Sequence, residues 1–396
     1  MFSNRPVLIL GASTRAAAQS AVWAGFAPLC ADMFSDCDLA ECARMLEVAD
    51  YPHGLVAAAA TAPPMPWIYT GGLENHPRIV EEISRSRPLW GNGGDVLRRI
   101  RDPWHVAGLL VGHSLPPCRV WPRDAAPPAA DGNWMLKPLR GAAGRGIRVW
   151  ENSSSDPVPL QEPHCFQERR LGSPISALFL AQPQQTTLLG ITRQLVGLSE
   201  VHAPAFAWCG TITPVELPVE IGEMVQRIGN VLAQQTGLRG LFGCDFIVDS
   251  SQPWLTEVNP RYPASTELIE RVLRAPLLDW HRRACESFDD PGRVLDIPDV
   301  VAGARGHAAS VLGKIVLYAD RDLAAPDARH FLWRPPKCNG AIDFGDTLPY
   351  VADIAAAGTR ISRGQPICTL FARAASEDEC LAKLMRRARR FEAECQ

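Results

Sequence analysis

Oxygen-bearing side chains cluster in residues Gly243–Arg261, a segment that reads as two strands joined by a polar turn. Asp245 lies near the start of the first strand, and Glu257 and Asn259 lie near the end of the second. Because residues two apart in a strand share a face, Glu257 and Asn259 point the same way, and Asp245 on a paired neighbour can reach the same spot. Carboxylate and amide oxygens in this arrangement suit Mg²⁺.

Arg261 follows two residues after Asn259 and adds a cation for an anionic substrate on the same face. For this segment alone, the simpler interpretation is a hairpin whose charged ends are solvated.

A glycine-rich loop precedes that segment in the chain, between two short strands of residues Trp134–Trp150. The first strand carries Lys137, and the loop contains Gly141, Gly144 and Gly146. Glycines let backbone N–H groups approach phosphate oxygens, and Lys137 adds a point charge worth about 4 kcal/mol before desolvation. The loop differs from a Walker A loop, which ends in G-K-[ST] and leads into a helix. A hairpin turn explains the loop alone, but the two segments together favour a nucleotide site.

A third segment, His164–Ala181, reads as a strand ending at Gln167 and Glu168, then a turn and another strand. The end of such a strand can offer backbone groups to an adenine edge while a carboxylate holds the ribose hydroxyls. Glu168 is the candidate carboxylate. A solvated Gln-Glu-Arg-Arg run explains this pattern equally well.

The order of these motifs resembles that of the ATP-grasp superfamily. The motifs are K-P…G-x-x-G-x-G-I, then Q-E-x-x-x-G-x-x-x-S, then D-F-x-V…E-V-N-P-R. Within the superfamily, the chain is most similar to the predicted ATP-dependent carboligases related to biotin carboxylase. The resemblance covers most of the chain and implies two α+β lobes that grip ATP, with Mg²⁺ bridging its phosphates.

The resemblance also implies roles for individual residues. Lys137 matches the phosphate-binding lysine, and the loop from Gly141 to Gly146, including Gly144 and Arg145, matches the flexible lid. Gln167 and Glu168 match the adenine and ribose hinge. The metal ligands match Asp245, Glu257 and Asn259, and the arginine near the acyl phosphate matches Arg261.

One position departs from the family pattern. Such enzymes often carry a second lysine, in an Asp-Lys pair at the entry to the small lobe, but here Pro103 follows Asp102. Either Arg99 or Arg101 then supplies the cation for the α-phosphate, or the contact is absent.

The first hundred residues alternate strand and helix, which predicts a parallel α/β sheet. Open α/β sheets bind ligands at the carboxyl ends of their strands. The predicted strand Trp67–Glu74 contains a glycine pair near its end, so Glu74 and Asn75 are candidate substrate contacts, with a capping role for the next helix as the alternative. We expect one helix over Ser265–Leu278 and a compact β-hairpin over residues 356–369.

We therefore predict a mixed α/β and α+β protein of three domains. These are a Rossmann-like domain (1–104), a two-lobed ATP-grasp core (105–295) and a small β-rich C-terminal lobe (296–396).

Composition excludes several classes of partner. The chain has 396 residues, 21% of them charged, and a net charge of −3, so neither nucleic acid nor a membrane is expected to bind. The N-terminal apolar run is too short for a signal peptide, which predicts a cytoplasmic protein. The twelve cysteines form no C-x-x-C pair and are expected to be buried thiols.

The function expected from the resemblance is that of an ADP-forming ligase using ATP and Mg²⁺. A small-molecule carboxylate would attack the γ-phosphoryl group to give an acyl phosphate, and an amine would displace phosphate. Catalysis would rest on positioning and on charge neutralisation by Mg²⁺, Lys137 and Arg261.

The expected setting is small-molecule or cofactor biosynthesis, and a homodimer is one option for the assembly. Two alternatives stay open: a carboxylase-like enzyme that uses bicarbonate, and a non-catalytic ATP-binding protein.

Overall fold

The computed structural model describes residues 5–151, 163–290, 310–332 and 348–394, together with residues 295, 297, 337–338 and 341–342. Within these residues the chain forms three principal sheets: a parallel N-terminal sheet, a small antiparallel sheet and a large antiparallel sheet. The expected mixed fold class is confirmed. Among the described helices, none is both long and apolar enough to cross a membrane.

The N-terminal sheet has four parallel strands, in the spatial order Arg44–Leu46, Phe26–Asp32, Arg5–Gly11 and Trp67–Tyr69. The helices of this region are Arg15–Trp23, Cys37–Ala40, Gly54–Thr61, Pro77–Ser84, Gly94–Ile100 and Pro103–Gly112. Because parallel strands end at the same edge, Asp32 lies at that edge, and Arg15 and Glu74 lie just beyond it. The predicted strand Trp67–Glu74 is shorter than expected: it ends at Tyr69, and Glu74 and Asn75 lie in the 3₁₀ turn Leu73–Asn75.

The small sheet has Asp131–Pro138 at its centre, paired antiparallel with Arg148–Glu151 and with His164–Glu168. Lys137 lies opposite Cys165, and Trp134 lies opposite Glu168. Strand alternation therefore puts Lys137 and Gln167 on one face of this sheet and Glu168 on the other.

The large sheet runs Pro253–Asn259, Gly240–Val248, Ser173–Ala181, Thr186–Val196, Trp208–Thr213, Val311–Tyr318, Pro366–Ala374 and Val351–Ala352, with neighbours antiparallel. The helices in this part of the chain are Val219–Thr236, Thr266–Leu273, Leu277–Glu286 and Glu377–Glu394. Short two-stranded pairs join Leu323–Ala324 to Arg360–Ile361 and Lys337–Cys338 to Ala341–Ile342. Single 3₁₀ turns occupy Ser199–Val201 and Arg329–Phe331. The C-terminal strands thus extend the same sheet as the predicted core.

Two local predictions were wrong. The helix expected over Ser265–Leu278 is two helices, because Arg274 has a positive φ of 51° and Pro276 lacks the N–H that a continuing helix needs. The hairpin expected over residues 356–369 does not form: Arg360–Ile361 pairs with Leu323–Ala324 instead.

Pro103 has a structural role as the first residue of the helix Pro103–Gly112. Proline suits this position because its missing N–H would have no partner in the first turn. Asp102 caps the helix by accepting from the N–H groups of Trp104 at 2.9 Å and His105 at 3.1 Å. The departure from the Asp-Lys pair therefore creates a helix start.

A buried ion network joins the N-terminal sheet to the large sheet. The Arg15 guanidinium donates to Glu267 and, at 2.9 Å, to Asp353, while the Lys314 ammonium donates to Glu267 at 2.7 Å. Arg15, Glu267 and Lys314 are 1%, 1% and 4% exposed. Burial raises the pKa of Glu267, but Arg15 and then Lys314 outweigh it and hold that pKa well below its ordinary value.

Replacing Glu267 with glutamine removes the anion that Arg15 and Lys314 share. We expect the free energy of unfolding to fall by about 3–5 kcal/mol, since the two cations stay buried without it. The control is Glu81→Gln, which removes an exposed pair with Arg98 and is expected to cost about 0–1 kcal/mol. Denaturant unfolding measures both variants, and equal losses would contradict a joining role for Glu267.

Candidate functional site

The hairpin of Gly240–Val248 with Pro253–Asn259 brings the three candidate metal ligands together. Asp245 lies directly opposite Glu257, and Gly243 lies opposite Asn259. The Asn259 amide donates to Asp245 Oδ2 at 3.0 Å. The two carboxylates and the amide thus lie on one face of the hairpin.

Asp245 is the least well compensated of these three side chains. Its Oδ1 atom is buried and has no hydrogen-bond partner among the described residues. Burial, followed by the charge of Glu257, raises the pKa of Asp245 to about 6, despite hydrogen bonds from Ser176 and Asn259. The described residues contain no group of three or more His, Cys, Asp or Glu side chains that could hold a metal. Two carboxylates, one of them with an unpaired buried oxygen, and an amide nonetheless fit Mg²⁺, which takes few protein ligands.

Glu257 is bound by Arg101, one of the two arginines that the sequence left open as the cation for the α-phosphate. Arg101 Nη1 donates to Glu257 Oε1 at 2.5 Å. Burial raises the pKa of Glu257, but Arg101 and then Lys137 outweigh it and hold that pKa below its ordinary value. Arg99 instead donates to the Thr236 carbonyl at 3.0 Å, so of the two arginines it is Arg101 that lies in the site.

Lys137 lies between the small sheet and the hairpin. Its ammonium donates to Gln167 Oε1 and to the Thr256 carbonyl, both at 3.0 Å. Lys137, Gln167, Arg101 and Glu257 line a cavity of about 80 Å³. Ligand pockets usually measure about 300–1,000 Å³, so this cavity is smaller than a nucleotide-sized ligand needs.

Glu168 lies apart from this group. Its carboxylate accepts from Arg119 at 2.8 and 3.1 Å and from Arg170 at 2.6 Å, on the face of the small sheet opposite Lys137. The predicted role of Glu168 at the adenine and ribose hinge therefore stays a prediction, and in this structure its carboxylate is paired with two arginines. Gln167 faces the cleft instead, because strand alternation gives adjacent residues opposite faces.

The glycine loop, residues 139–147, closes across the cleft. The Gly141 carbonyl accepts from Asn75 Nδ2 at 3.2 Å, and the Ala143 carbonyl accepts from the Trp208 N–H at 3.2 Å. Gly144 and Gly146 have φ values of 77° and 76°. At Gly144 a Cβ would also overlap the Phe206 carbonyl, so this close approach requires glycine.

Burial raises the pKa of the Tyr318 hydroxyl, in the large sheet, to about 12. The charge of Arg145 in the glycine loop opposes this rise, so Arg145 lies near that hydroxyl.

Arg261 connects the metal-ligand set to the edge of the N-terminal sheet. It donates to Asn259 Oδ1 at 3.0 Å and to Glu74 Oε1 at 3.1 Å. Glu74 Oε2 is buried without a hydrogen-bond partner among the described residues. Glu74 therefore faces Arg261, whereas Asn75 binds the glycine loop and Arg101, and the substrate contact predicted for each of them stays a prediction.

Comparison with known families gives a match to the ATP-grasp domain over residues 107–265. This segment is an ATP-grasp domain. It contains Lys137, the glycine loop and the whole hairpin that carries the candidate metal ligands. An uncharacterized protein of Methanocaldococcus jannaschii is 27% identical over 139 residues, which is 34% of this chain and 32% of that protein.

Solved structures share the fold over nearly the whole chain. Rhizobium etli pyruvate carboxylase has a TM-score of 0.71 at 13% identity, covering 98% of this chain and 39% of its own. The biotin carboxylase domain of Hydrogenobacter thermophilus 2-oxoglutarate carboxylase, solved with MgADP and bicarbonate, has a TM-score of 0.68 at 13% identity. The match covers 96% of this chain and 89% of that domain. An L-amino acid ligase of Bacillus licheniformis has a TM-score of 0.66 at 11% identity and covers 97% of both chains. The chain spans about a third of its sequence relative and well under half of the pyruvate carboxylase.

The ionised form of Asp245 opposes folding of the metal-free ATP-grasp domain. Its pKa of about 6 exceeds the unfolded value near 3.9, so the stability given by the protonated form is complete below about pH 4 and lost as the pH rises through about 6. We expect Asp245→Asn to raise the free energy of unfolding at pH 7.5 by on the order of 1–3 kcal/mol, with the difference vanishing near pH 4.

Denaturant unfolding in a metal chelator at pH 4, 6 and 7.5 measures this effect. Asp249→Asn is the control, because hydrogen bonds from Ser251 and Trp254 lower the pKa of Asp249 at the turn of the same hairpin. That substitution is expected to destabilise the protein at neutral pH. A loss of stability in Asp245→Asn at pH 7.5 would contradict the assignment of Asp245 as an uncompensated carboxylate.

Gly144→Ala is expected to open the glycine loop of the ATP-grasp domain. The left-handed conformation alone costs a residue with a Cβ about 1–2 kcal/mol, which is on the order of a tenfold shift toward the open loop. Gly141→Ala is the control, because the nearest atom to a Cβ there is 3.5 Å away. Amide hydrogen exchange over residues 139–147 reports the difference, and equal exchange rates in the two variants would refute it.

Proposed function

We propose that the protein is an ADP-forming ligase that activates a small-molecule carboxylate as an acyl phosphate and joins it to an amine. The observation that carries this proposal is the cleft between the two antiparallel sheets, where Asp245, Glu257 and Asn259 face Lys137 and Arg101. Oxygen ligands on one wall and cations beside them match the needs of a metal-bound nucleotide.

Asp245, Glu257 and Asn259 would hold Mg²⁺, which supplies positive charge to the nucleotide phosphates. Lys137 is already oriented by Gln167 and the Thr256 carbonyl, so its ammonium adds a fixed cation at the same cleft. Positioned cations need no reorganisation when charge develops on the transferring phosphoryl group. ATP and Mg²⁺ are therefore the proposed cofactors.

Arg261 is the proposed contact for the substrate carboxylate or the acyl phosphate. Its guanidinium lies between Asn259 of the metal-ligand set and Glu74 at the N-terminal edge. An anion bound there would lie next to the proposed metal and beside the edge where open α/β sheets take ligands. The fold likeness to an L-amino acid ligase supports an amine as the second substrate.

A carboxylase that uses bicarbonate is the second candidate. It is favoured by the likeness to a biotin carboxylase domain that was solved with MgADP and bicarbonate. The two candidates differ in which carboxylate triggers ADP formation.

Glu257→Gln is expected to lower Mg²⁺-dependent ADP release by at least about a thousandfold, because it removes a metal-ligand charge beside the phosphates. Glu81→Gln is the matched control, since its carboxylate lies outside the site and forms an exposed pair with Arg98. We expect that variant to stay within about threefold of the unmodified protein. Circular dichroism checks that both variants fold.

The assay is phosphate and ADP release from ATP, screened against pooled carboxylates, amino acids and amines, with bicarbonate as a separate arm. Release that requires one organic carboxylate and one amine supports the ligase, whereas release with bicarbonate alone supports the carboxylase. Near-normal turnover in Glu257→Gln would overturn both. ATP binding without release in any arm would point to a binding protein.

A further inference from the structure

Arg101 contacts three separate parts of the site. It follows the helix Gly94–Ile100, and its side chain is largely buried. Its guanidinium donates to Glu257 Oε1 at 2.5 Å, the Val258 carbonyl at 3.3 Å, Asn75 Oδ1 at 3.0 Å and the Gly141 carbonyl at 3.4 Å. These acceptors belong to the metal-ligand hairpin, the N-terminal edge and the glycine loop.

This set of contacts requires a charged, planar side chain. Burial lowers the pKa of Arg101, but Glu257 and then Glu74 outweigh it, so the group stays charged and its pKa is raised. A guanidinium directs five N–H donors in a rigid fork, so one side chain can serve several acceptors at once. A lysine ammonium at the same place would keep the charge but not this geometry.

We propose that Arg101 is a positioning residue that couples occupancy of the metal–nucleotide site to closure of the glycine loop. Its Nη1 binds the carboxylate of Glu257, while its Nη2 binds Asn75 and the loop carbonyl of Gly141. Anything that fixes Glu257 therefore also fixes the donor that holds the loop. The inference rests on the proposed function in that Glu257 is taken as a metal ligand.

The same geometry ties the loop to the substrate side. Asn75 accepts from Arg101 through Oδ1 and donates to the Gly141 carbonyl through Nδ2, so it bridges the guanidinium and the loop. It follows Glu74, which binds Arg261. Closure of the loop and the arrangement of the proposed substrate contacts are therefore linked through one amide side chain.

The experiment compares Arg101→Gln and Arg101→Lys with Arg99→Gln in the full chain. Arg99 lies two residues away and donates to the Thr236 carbonyl at the end of the helix Val219–Thr236, so it provides a matched loss of one arginine outside the site. Amide hydrogen exchange over residues 139–147 is followed in chelator, and again with Mg²⁺ and a non-hydrolysable ATP analogue. Calorimetry gives the affinity for the analogue.

In chelator, exchange over the loop is expected to be at least about tenfold faster in Arg101→Gln, as for loss of charge-assisted hydrogen bonds, and unchanged in Arg99→Gln. The Mg²⁺–analogue complex slows loop exchange in the unmodified protein and in Arg99→Gln. Arg101→Lys keeps the positive charge but not the planar fork, so its loop is expected to exchange about as fast as in Arg101→Gln, with and without the analogue. Loop exchange at the unmodified rate in Arg101→Lys would show that charge alone holds the loop, and would contradict the positioning role.

Arg101→Gln could also expose the loop by unfolding the chain, so Asn75→Ala is a second variant. It removes the bridge to Gly141 and leaves the Arg101–Glu257 ion pair in place. It is expected to speed loop exchange with little change in melting temperature. The proposal is overturned if Arg101→Gln and Arg99→Gln show the same loop exchange, or if Asn75→Ala leaves it unchanged. Failure of the unmodified protein to bind the analogue would count against the proposed function instead, since the comparison in chelator tests the loop contact without nucleotide.

Discussion

The pairing of Gly240–Val248 with Pro253–Asn259 is the constraint on which the site depends. Its register puts Asp245 opposite Glu257, and a shift of one strand by one residue would put these two carboxylates on opposite faces. Apolar neighbours hold that register: Phe246, opposite Leu255, and Cys244, opposite Val258, are buried in one core cluster with the helix Val219–Thr236. Burial of one face of the hairpin against this helix therefore forces the carboxylates onto the face that meets Lys137.

This register brings two carboxylates close together, and their repulsion lowers the stability of the folded chain. Glu257 is compensated by Arg101 and Lys137, but Asp245 Oδ1 has no partner among the described residues and its pKa is raised to about 6. Carboxylates with a shifted pKa are concentrated at functional sites. A carboxylate whose oxygens are all hydrogen-bonded within the free protein has fewer lone pairs available for a ligand.

Local patterns predicted those parts of the site that depend on spacing along one strand or one hairpin. Glu257 and Asn259 share a face by strand alternation, as their spacing predicts. The break at Arg274 could have been read from Pro276, which is a visible helix-ending signal. The position of Glu168 could not be read in this way, because alternation separates it from Gln167 without saying which of the two faces the cleft. The role of Arg101 depends on packing of the N-terminal domain against the hairpin, and no pattern along the chain encodes that contact.

The cavity of about 80 Å³ between the small sheet and the hairpin would have to widen to admit the proposed nucleotide. The junction between the N-terminal and large sheets contains buried ion pairs at Arg15 and Lys314, and separating them would leave charges uncompensated. The small sheet is held to the hairpin by polar contacts instead, from Lys137 and Gln167 to the Thr256 carbonyl. Water can replace such hydrogen bonds at little net cost, since a typical one contributes only about 0.5–1.5 kcal/mol. Opening at the small sheet is therefore the less costly movement, and it carries the glycine loop away from Arg101 and Asn75 as the cleft widens.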